Sequence, residues 1–530
     1  MPEGENILYG PTEVYPVPDI PLGQHLLKCL RHHGDKPAQT FTNDGPKYTF
    51  SDLAQRGCSV AVELGARGIG VGDIVSVCTG VCPEFTPIML GTFFVGATLS
   101  PLNYKFDTND FGILLKLIQP RIIISTPESV GKIETVLSKL NLKTEVVILG
   151  SPTWNKFLSH ATGPDYQPAD VKDHEDKEAL IMCSSGTTGL PKGVMITQKS
   201  MMTQLAIFEG GDDLIRLGDK VLIFSSPNWL SAPLFYLLGI CMGLEMVLGA
   251  HFEEEEYLKI IEEHKVTFSF LPPNQAVAVA KSSVVDRYDI SSLRSLFCGG
   301  AAMSKETQQQ VEERLKISVL QGYGMTEILP ATLMPRDVRY KQGSSGKVVR
   351  SMACKVVDVD TGRAVGPHVE GEICMKGPTL TKGYYRNPEA TAAAIDKDGW
   401  LHSGDVAYYD DEGFFYIVDR IKDLIKYRGN HVAPIEIESQ LLEHPEVKDC
   451  AVVGVKHDLD QERPMAVVIR QPGSKVTEKE LVDFVQDKLA EHKWLRAGVR
   501  FVDELPKTSS GKVQRRKVRD MVNSKRHLDS

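Results

Sequence analysis

The sequence predicts an α/β protein: a large N-terminal domain of layered α/β subdomains containing a small antiparallel sheet, followed by a small α+β lid domain at the C-terminus. Three observations carry this reading. The 530 residues exceed what one hydrophobic core usually holds, so at least two packed units are expected. Between about residues 50 and 350, short β-branched runs (74–78, 121–125, 145–149, 220–224, 266–270 and 293–297) alternate with helix-like stretches, the pattern of layers around largely parallel sheets. After Asp419 the pattern changes. Strands at 449–455, 465–469 and 499–501 and an amphipathic helix at 478–491 form a unit of about 110 residues, large enough to fold alone.

Around 355–359, 371–376 and 413–419 the pattern is strand–turn–strand, which places the antiparallel sheet just before the change. The boundary therefore divides residues 1–419 from 420–530. The junction Asp419-Arg420-Ile421-Lys422-Asp423 is short and charged, better suited to a hinge near Lys422 than to a core.

Composition narrows the class of function. With 42% hydrophobic and 24% charged residues, the chain can bury a large core. A net charge of −9 argues against a nucleic-acid surface, yet leaves room for local basic sites facing a phosphorylated ligand. The ten cysteines lie singly, with no pair at metal-ligand spacing, and read as reduced, mostly buried thiols of an intracellular protein. Met1-Pro2-Glu3-Gly4-Glu5 is neither basic nor apolar, so no secretory signal is expected. Two apolar stretches need a membrane check. Residues 85–99 are short and interrupted by Pro87, Gly91 and Gly96. Residues 229–250 carry Glu245 and three glycines and lead into the acidic run 253–256. Both are expected to be buried core helices with no integral membrane segment, and the acidic run to be the first turn of a helix.

Five motifs carry chemistry. Ser184-Ser185-Gly186-Thr187-Thr188-Gly189-Leu190-Pro191-Lys192-Gly193 lies between two strand-like runs. Its glycines let the backbone bend and expose amides, and its hydroxyls and Lys192 add donors for phosphate oxygens. It lacks the spacing of the Walker loop; a flexible hairpin is the alternative. Gln321-Gly322-Tyr323-Gly324-Met325-Thr326-Glu327 offers a ring to stack on a base, a hydroxyl, and a hard carboxylate suited to Mg²⁺; a glycine-rich turn with a solvated glutamate is the alternative. In Trp400-Leu401-His402-Ser403-Gly404-Asp405 the aspartate, read as lying on a tight turn, suits a pair of ribose hydroxyls or is simply solvated. Arg420, within 416–429, could reach ribose or phosphate or serve only the hinge. Near the C-terminus, Pro506-Lys507-Thr508-Ser509-Ser510-Gly511-Lys512 presents a lysine that could swing in to neutralise developing charge, or remain in solvent.

In this order, from Glu5-Asn6-Ile7-Leu8-Tyr9-Gly10-Pro11 to Lys512, the motifs resemble the adenylate-forming superfamily. The branch is that of acyl-CoA synthetases, 4-coumarate–CoA ligases and beetle luciferases. Residues 396–405 resemble it over a long stretch. The resemblance implies that the antiparallel sheet is barrel-like and that the C-terminal domain is a mobile lid. It implies ATP, Mg²⁺ and coenzyme A as partners of a carboxylic acid. By the same resemblance, Ser184, Ser185, Gly186, Thr187, Thr188 and Lys192 cradle the ATP phosphates. Gly300, Ala301, Ala302, Gln321, Gly322 and Tyr323 line the adenine, with Ile417 on its other face. Thr326 would touch the α-phosphate, Glu327 and Thr188 would hold Mg²⁺, and Asp405 and Arg420 would bind ribose. Lys422 would be the hinge, Lys512 the adenylation lysine, and Arg428 and Gly429 the coenzyme A contact of a second conformation.

The acyl pocket is expected from Trp229, Ser231, Gly299, Gly324 and Met325, the glycines leaving room. The chain departs from luciferases at Asn228-Trp229, where those carry paired histidines, and at Ser231, where they carry an aromatic; His431 stands where the branch usually has glutamine. The leading expectation is an acid–CoA ligase acting on a fatty or arylpropenoic acid, monomer or homodimer. The competing readings are a luciferin oxygenase, an adenylating enzyme with an amine or carrier-protein acceptor, and a non-catalytic nucleotide-binding scaffold. The C-terminal Arg526-His527-Leu528-Asp529-Ser530 is not the Ser-Lys-Leu peroxisomal address, so a cytoplasmic location is favoured over a peroxisomal one.

Overall fold

Two largely parallel sheets and one antiparallel sheet build the first 420 residues, and a further sheet with its own helices follows. The computed structural model describes residues 6–12, 16–184, 191–210, 215–335, 341–428, 430–507 and 513–524. One sheet has the strand order Gly383–Tyr384, Lys192–Thr197, Glu178–Ser184, Thr98–Leu102, Ile74–Cys78, Ile122–Ser125, Glu145–Ile148. Only Lys192–Thr197 runs against the others, pairing antiparallel on both sides, and the last five are mutually parallel, as strand-like runs separated by helices require. A nine-stranded sheet is centred on Lys220–Ile223, Phe268–Leu271, Ser295–Cys298 and Ser318–Met325. The main core lies between these sheets around helices Phe85–Phe94 and Ser231–Met242. Every described residue of the first is buried, and all but three of the second, which is why their sequences are apolar on every face.

Both apolar stretches are shorter as helices than their sequence suggests. Helix Phe85–Phe94 ends before Gly96, whose left-handed φ of 75° turns the chain into strand Thr98–Leu102. Helix Ser231–Met242 ends at Gly243, φ 69°, before strand Glu245–Leu248, so 229–250 is a helix, a turn and a strand rather than one helix. Among the described residues no helix is long and apolar enough to cross a membrane. The acidic run does open helix Glu254–His264, with three glutamates in its first turn.

The antiparallel sheet runs Ile7–Tyr9, Ala353–Val357, Gly371–Lys376, Leu401–Tyr409, Phe415–Arg420. The C-terminal sheet pairs Val447–His457 with Gln461–Arg470 and carries its own apolar clusters. Helix Arg515–Ser524 is tied to it by Arg515, whose two terminal nitrogens meet both carboxylate oxygens of Glu438 on helix Pro434–Glu443. Both side chains are largely buried. Removing one partner strands the other charge, so Arg515→Ala is expected to cost about 3–5 kcal/mol. Exchanging both for apolar residues (Arg515→Met with Glu438→Leu) should recover most of it in chemical denaturation. A single variant as stable as the parent would show that the pair does not anchor the helix.

Candidate active site

Strand Glu178–Ser184 pairs antiparallel with Lys192–Thr197, Ser184 opposite Lys192, so the phosphate-loop candidate connects two neighbouring strands. Ser185, Gly186, Thr187 and Thr188 lie outside the described residues, whereas both feet are held. Lys192 Nζ stands 4.6 Å from the centroid of the Tyr384 ring. Tyr384 comes from the two-residue strand Gly383–Tyr384, which pairs against Met195 and Val194. Its hydroxyl donates to Glu327 Oε1 at 2.9 Å. Thus Lys192 and Glu327, far apart in sequence, meet through one phenol ring.

Glu327 is 5% exposed. Burial pushes its carboxyl above the ordinary range; the Tyr384 hydroxyl, the Arg420 guanidinium and the Lys192 ammonium oppose the shift. Such a carboxylate is a hard oxygen ligand drawn towards a small divalent cation. Thr326 precedes it on the turn after strand Ser318–Met325 and is half-buried.

Asp405 lies inside strand Leu401–Tyr409, directly opposite Arg420. The expected tight turn is therefore a strand, kinked by Gly404 at φ 70° and by a shift of register. Glu372 sets this kink, accepting from Gly404 N–H at 2.8 Å and lying 2.8 Å from His402 Nδ1. Asp405 Oδ2 accepts from the Tyr323 hydroxyl at 2.6 Å, and Oδ1 is 3.0 Å from Arg420 Nε. Burial and the Asp405 charge together hold the Tyr323 hydroxyl firmly protonated. Lys422 lies close to both Arg420 and Asp405, and its partial burial lowers its pKa.

Tyr323, Asp405 and Arg420 thus form one contact set and Glu327, Tyr384 and Lys192 another, drawn from the two large sheets and the antiparallel one, with the Arg420 charge felt at Glu327. Tyr323, Met325 and Ile417 all pack against the main core. Gly322 is a strand residue with Leu333 and Phe297 over its α-carbon. Gly300 and Ala301 are exposed and Ala302 half-buried on the loop after Ser295–Cys298. Gln321 supports that loop from beneath: its side-chain oxygen accepts from Met303 N–H, and its amide nitrogen donates to the Met303 carbonyl and to Gln308.

Other expected members lie apart or differ in detail. Arg428 turns to Asp460, which takes its side chain and, through the backbone carbonyl, its N–H. Gly429 and Lys512 lie outside the described residues. Asp419, read as part of a charged hinge, is buried instead; it accepts from Ile435 N–H at 3.0 Å, and burial pushes its carboxyl up to about 6.

At the acyl end, Ser231 Oγ donates to Ser225 Oγ at 3.0 Å. Trp229 is half-buried, its ring N–H enclosed with no partner among the described residues. The glycines do not leave the space expected of them. A Cβ on Gly324 would sit 2.5 Å from Leu329 Cδ1 and 3.0 Å from the Ile328 carbonyl, and one on Gly299 would meet Phe270 at 3.2 Å. Here glycine permits close packing of backbone. Gly324→Ala should therefore destabilise the fold by about 1–3 kcal/mol, read as a lower denaturation midpoint; an unchanged midpoint would mean that the site is looser than its contacts indicate.

Tyr384 and Glu372 are not singled out by any motif. Tyr384 sits on a strand too short for periodicity, and only its place in the aromatic run Gly383-Tyr384-Tyr385-Arg386 could have drawn attention.

Known proteins match this arrangement along nearly its whole length. The family described as AMP-binding enzyme matches residues 27–385, and AMP-binding enzyme C-terminal domain matches 436–512. Luciferin 4-monooxygenase from Nipponoluciola cruciata is 37% identical, covering 98% of each chain. 4-Coumarate–CoA ligase 1 from Solanum tuberosum is 34% identical over 96% of this chain and 95% of its own. Among solved structures, ATP-bound MatB from Rhodopseudomonas palustris superposes with a TM-score of 0.86 at 25% identity, covering 94% of this chain and 98% of that one.

Proposed function

This chain belongs to the AMP-binding enzyme family of the adenylate-forming superfamily, and from that premise we propose that it is an acid–CoA ligase. A carboxylate oxygen attacks the α-phosphorus of ATP in line and pyrophosphate leaves, giving acyl-AMP. The sulfur of coenzyme A, its proton lost to solvent, then attacks the acyl carbon and AMP leaves, giving acyl-CoA. The observation that carries this reading is the pair of contact sets Lys192–Tyr384–Glu327 and Tyr323–Asp405–Arg420, in which cationic and carboxylate groups from three sheets meet and the Arg420 charge is felt at Glu327; together they would line the nucleotide crevice.

In this proposal, Asp405 accepts from the ribose hydroxyls with Arg420 beside it. Tyr323 and Ile417 flank the adenine, and Gly300, Ala301 and Ala302 edge it. Lys192 and the loop before it hold the terminal phosphates, while Thr326 donates to an α-phosphate oxygen. Glu327 and Thr188 would hold Mg²⁺, which when bound neutralises phosphate charge. The acid is already ionised near neutral pH, so the first step needs orientation and charge stabilisation rather than a general base. Lys512 would supply part of that stabilisation. Rotation of residues 420–530 about Lys422 would then bring Arg428 and Gly429 to coenzyme A.

The test is pyrophosphate release with ATP, Mg²⁺ and a panel of fatty and arylpropenoic acids, with and without coenzyme A. At least one acid should give pyrophosphate and a coenzyme A-dependent thioester; silence with every acid would end the proposal. A second reading, oxidation of an adenylated luciferin, draws on the luciferin 4-monooxygenase match. Against it stand Asn228, here held by Ser226 Oγ at 2.7 Å, and the bulk of Trp229. Light emission on adding luciferin and ATP would favour it. Transfer of the acyl group to an amine or carrier protein with release of AMP, but not to coenzyme A, would favour a different acceptor.

A further inference from the structure

Away from the crevice, helix Leu22–His33 carries His25, Cys29 and His33 four residues apart, hence along one face. That face meets the last turn of helix Ser231–Met242, where Cys241 sits, 216 positions from His25. His25 Nε2 lies 3.7 Å from Cys29 Sγ and 3.6 Å from Cys241 Sγ, and all three donor atoms fall within 4.8 Å of one another. His33 Nε2 donates to the Cys241 carbonyl at 3.2 Å, which fixes the turn carrying that thiol. Scattered cysteines with no metal-ligand spacing in sequence are therefore brought together by the fold.

The separations have a chemical meaning. A tetrahedral zinc ion holds sulfur at about 2.3 Å and imidazole nitrogen at about 2.0–2.1 Å, so its sulfur–nitrogen edges are about 3.6 Å. Both observed separations fit such edges without backbone movement. We propose that His25, Cys29 and Cys241, with a solvent molecule completing the tetrahedron, bind a soft divalent cation, Zn²⁺ by the match of thiolate and imidazole donors. Binding displaces the two thiol protons to solvent, leaving a zinc dithiolate with no change in oxidation state. His25, Cys29 and Cys241 are half-buried, which leaves the ion a way in. The ion would clasp the first helix to the one whose opening residue is Ser231.

The full chain, purified under reductant with a chelator and then dialysed against Zn²⁺, should take up about one equivalent and melt a few degrees higher. Cys29→Ser and Cys241→Ser should each abolish both effects. Because a variant at Cys241 could misfold, Co²⁺ uptake by the unaltered chain provides an independent reading: thiolate-to-cobalt charge-transfer absorption with tetrahedral d–d bands. Uptake below about a tenth of an equivalent would overturn the proposal. So would uptake that survives Cys29→Ser, a cobalt spectrum without the sulfur band, or a Cys29–Cys241 disulfide forming under reductant in place of ion binding.

Discussion

Glu327→Gln is expected to lower acid-dependent pyrophosphate release by about 10²–10³-fold, the usual scale for removing one charge-stabilising group from a water-excluded site. The same variant is expected to be at least as stable as the parent, and the two effects share a cause. Glu327 is 5% exposed, and burial raises its carboxyl pKa above that of the unfolded chain. A carboxyl raised on folding binds a proton more readily in the native state. Its stabilising contribution is complete below the unfolded pKa and is lost as pH rises through the raised one. At neutral pH the charged side chain is therefore a cost that glutamine removes, while Gln Oε1 still accepts from the Tyr384 hydroxyl.

The activity profile follows the same sign. In the parent, the magnesium concentration for half-maximal rate should climb as pH falls through the raised pKa, because protonation removes the ligand. The variant should lack that dependence. Pyrophosphate kinetics across pH, paired with a melting curve, test both halves. Turnover above a tenth of the parent's would remove Glu327 from the catalytic set, whatever the melting curve shows.

Parts of this site were legible in the sequence because they are local. The glycine- and hydroxyl-rich stretch before Lys192 read as a loop between two strand-like runs, and those flanking runs are paired antiparallel strands with Ser184 opposite Lys192. Strand Ile74–Cys78 lies where its β-branched run placed it. What periodicity cannot supply is which distant segment completes a site. Tyr384 bridges Lys192 and Glu327 from a strand of two residues, and Glu372 holds the Gly404 kink from the neighbouring strand. Glycine was equally ambiguous: in Gly324 a missing side chain suggested open space, whereas Leu329 and the Ile328 carbonyl occupy it. Nor could charge alone place Asp419, which looks like a solvated hinge residue until the backbone of Ile435 closes over it.

Asp405→Asn should raise the KM for ATP by about 10–100-fold while changing kcat far less, because the proposed ribose contact is made equally before and during reaction. The reason is the number of donors that converge there. Asp405 is 6% exposed, accepts from Tyr323 Oη at 2.6 Å and faces Arg420 Nε at 3.0 Å. A carboxylate can serve both donors and still offer lone pairs to a diol; an amide has one acceptor oxygen and would turn its NH₂ towards one of the two donors. Hydrogen bonds to a charged group are worth about 1.5–3 kcal/mol each, so losing one accounts for the expected change. Tyr323→Phe separates ligand binding from support of the carboxylate. If the Tyr323 hydroxyl only orients Asp405, its removal should matter much less once Asp405 is already asparagine, a non-additivity that a double-mutant cycle on the KM for ATP measures. Strict additivity would mean that the two residues act separately. An Asp405→Asn enzyme with the parent's KM for ATP would place the ribose elsewhere, leaving the Asp405–Arg420 pair as a brace between strands Leu401–Tyr409 and Phe415–Arg420.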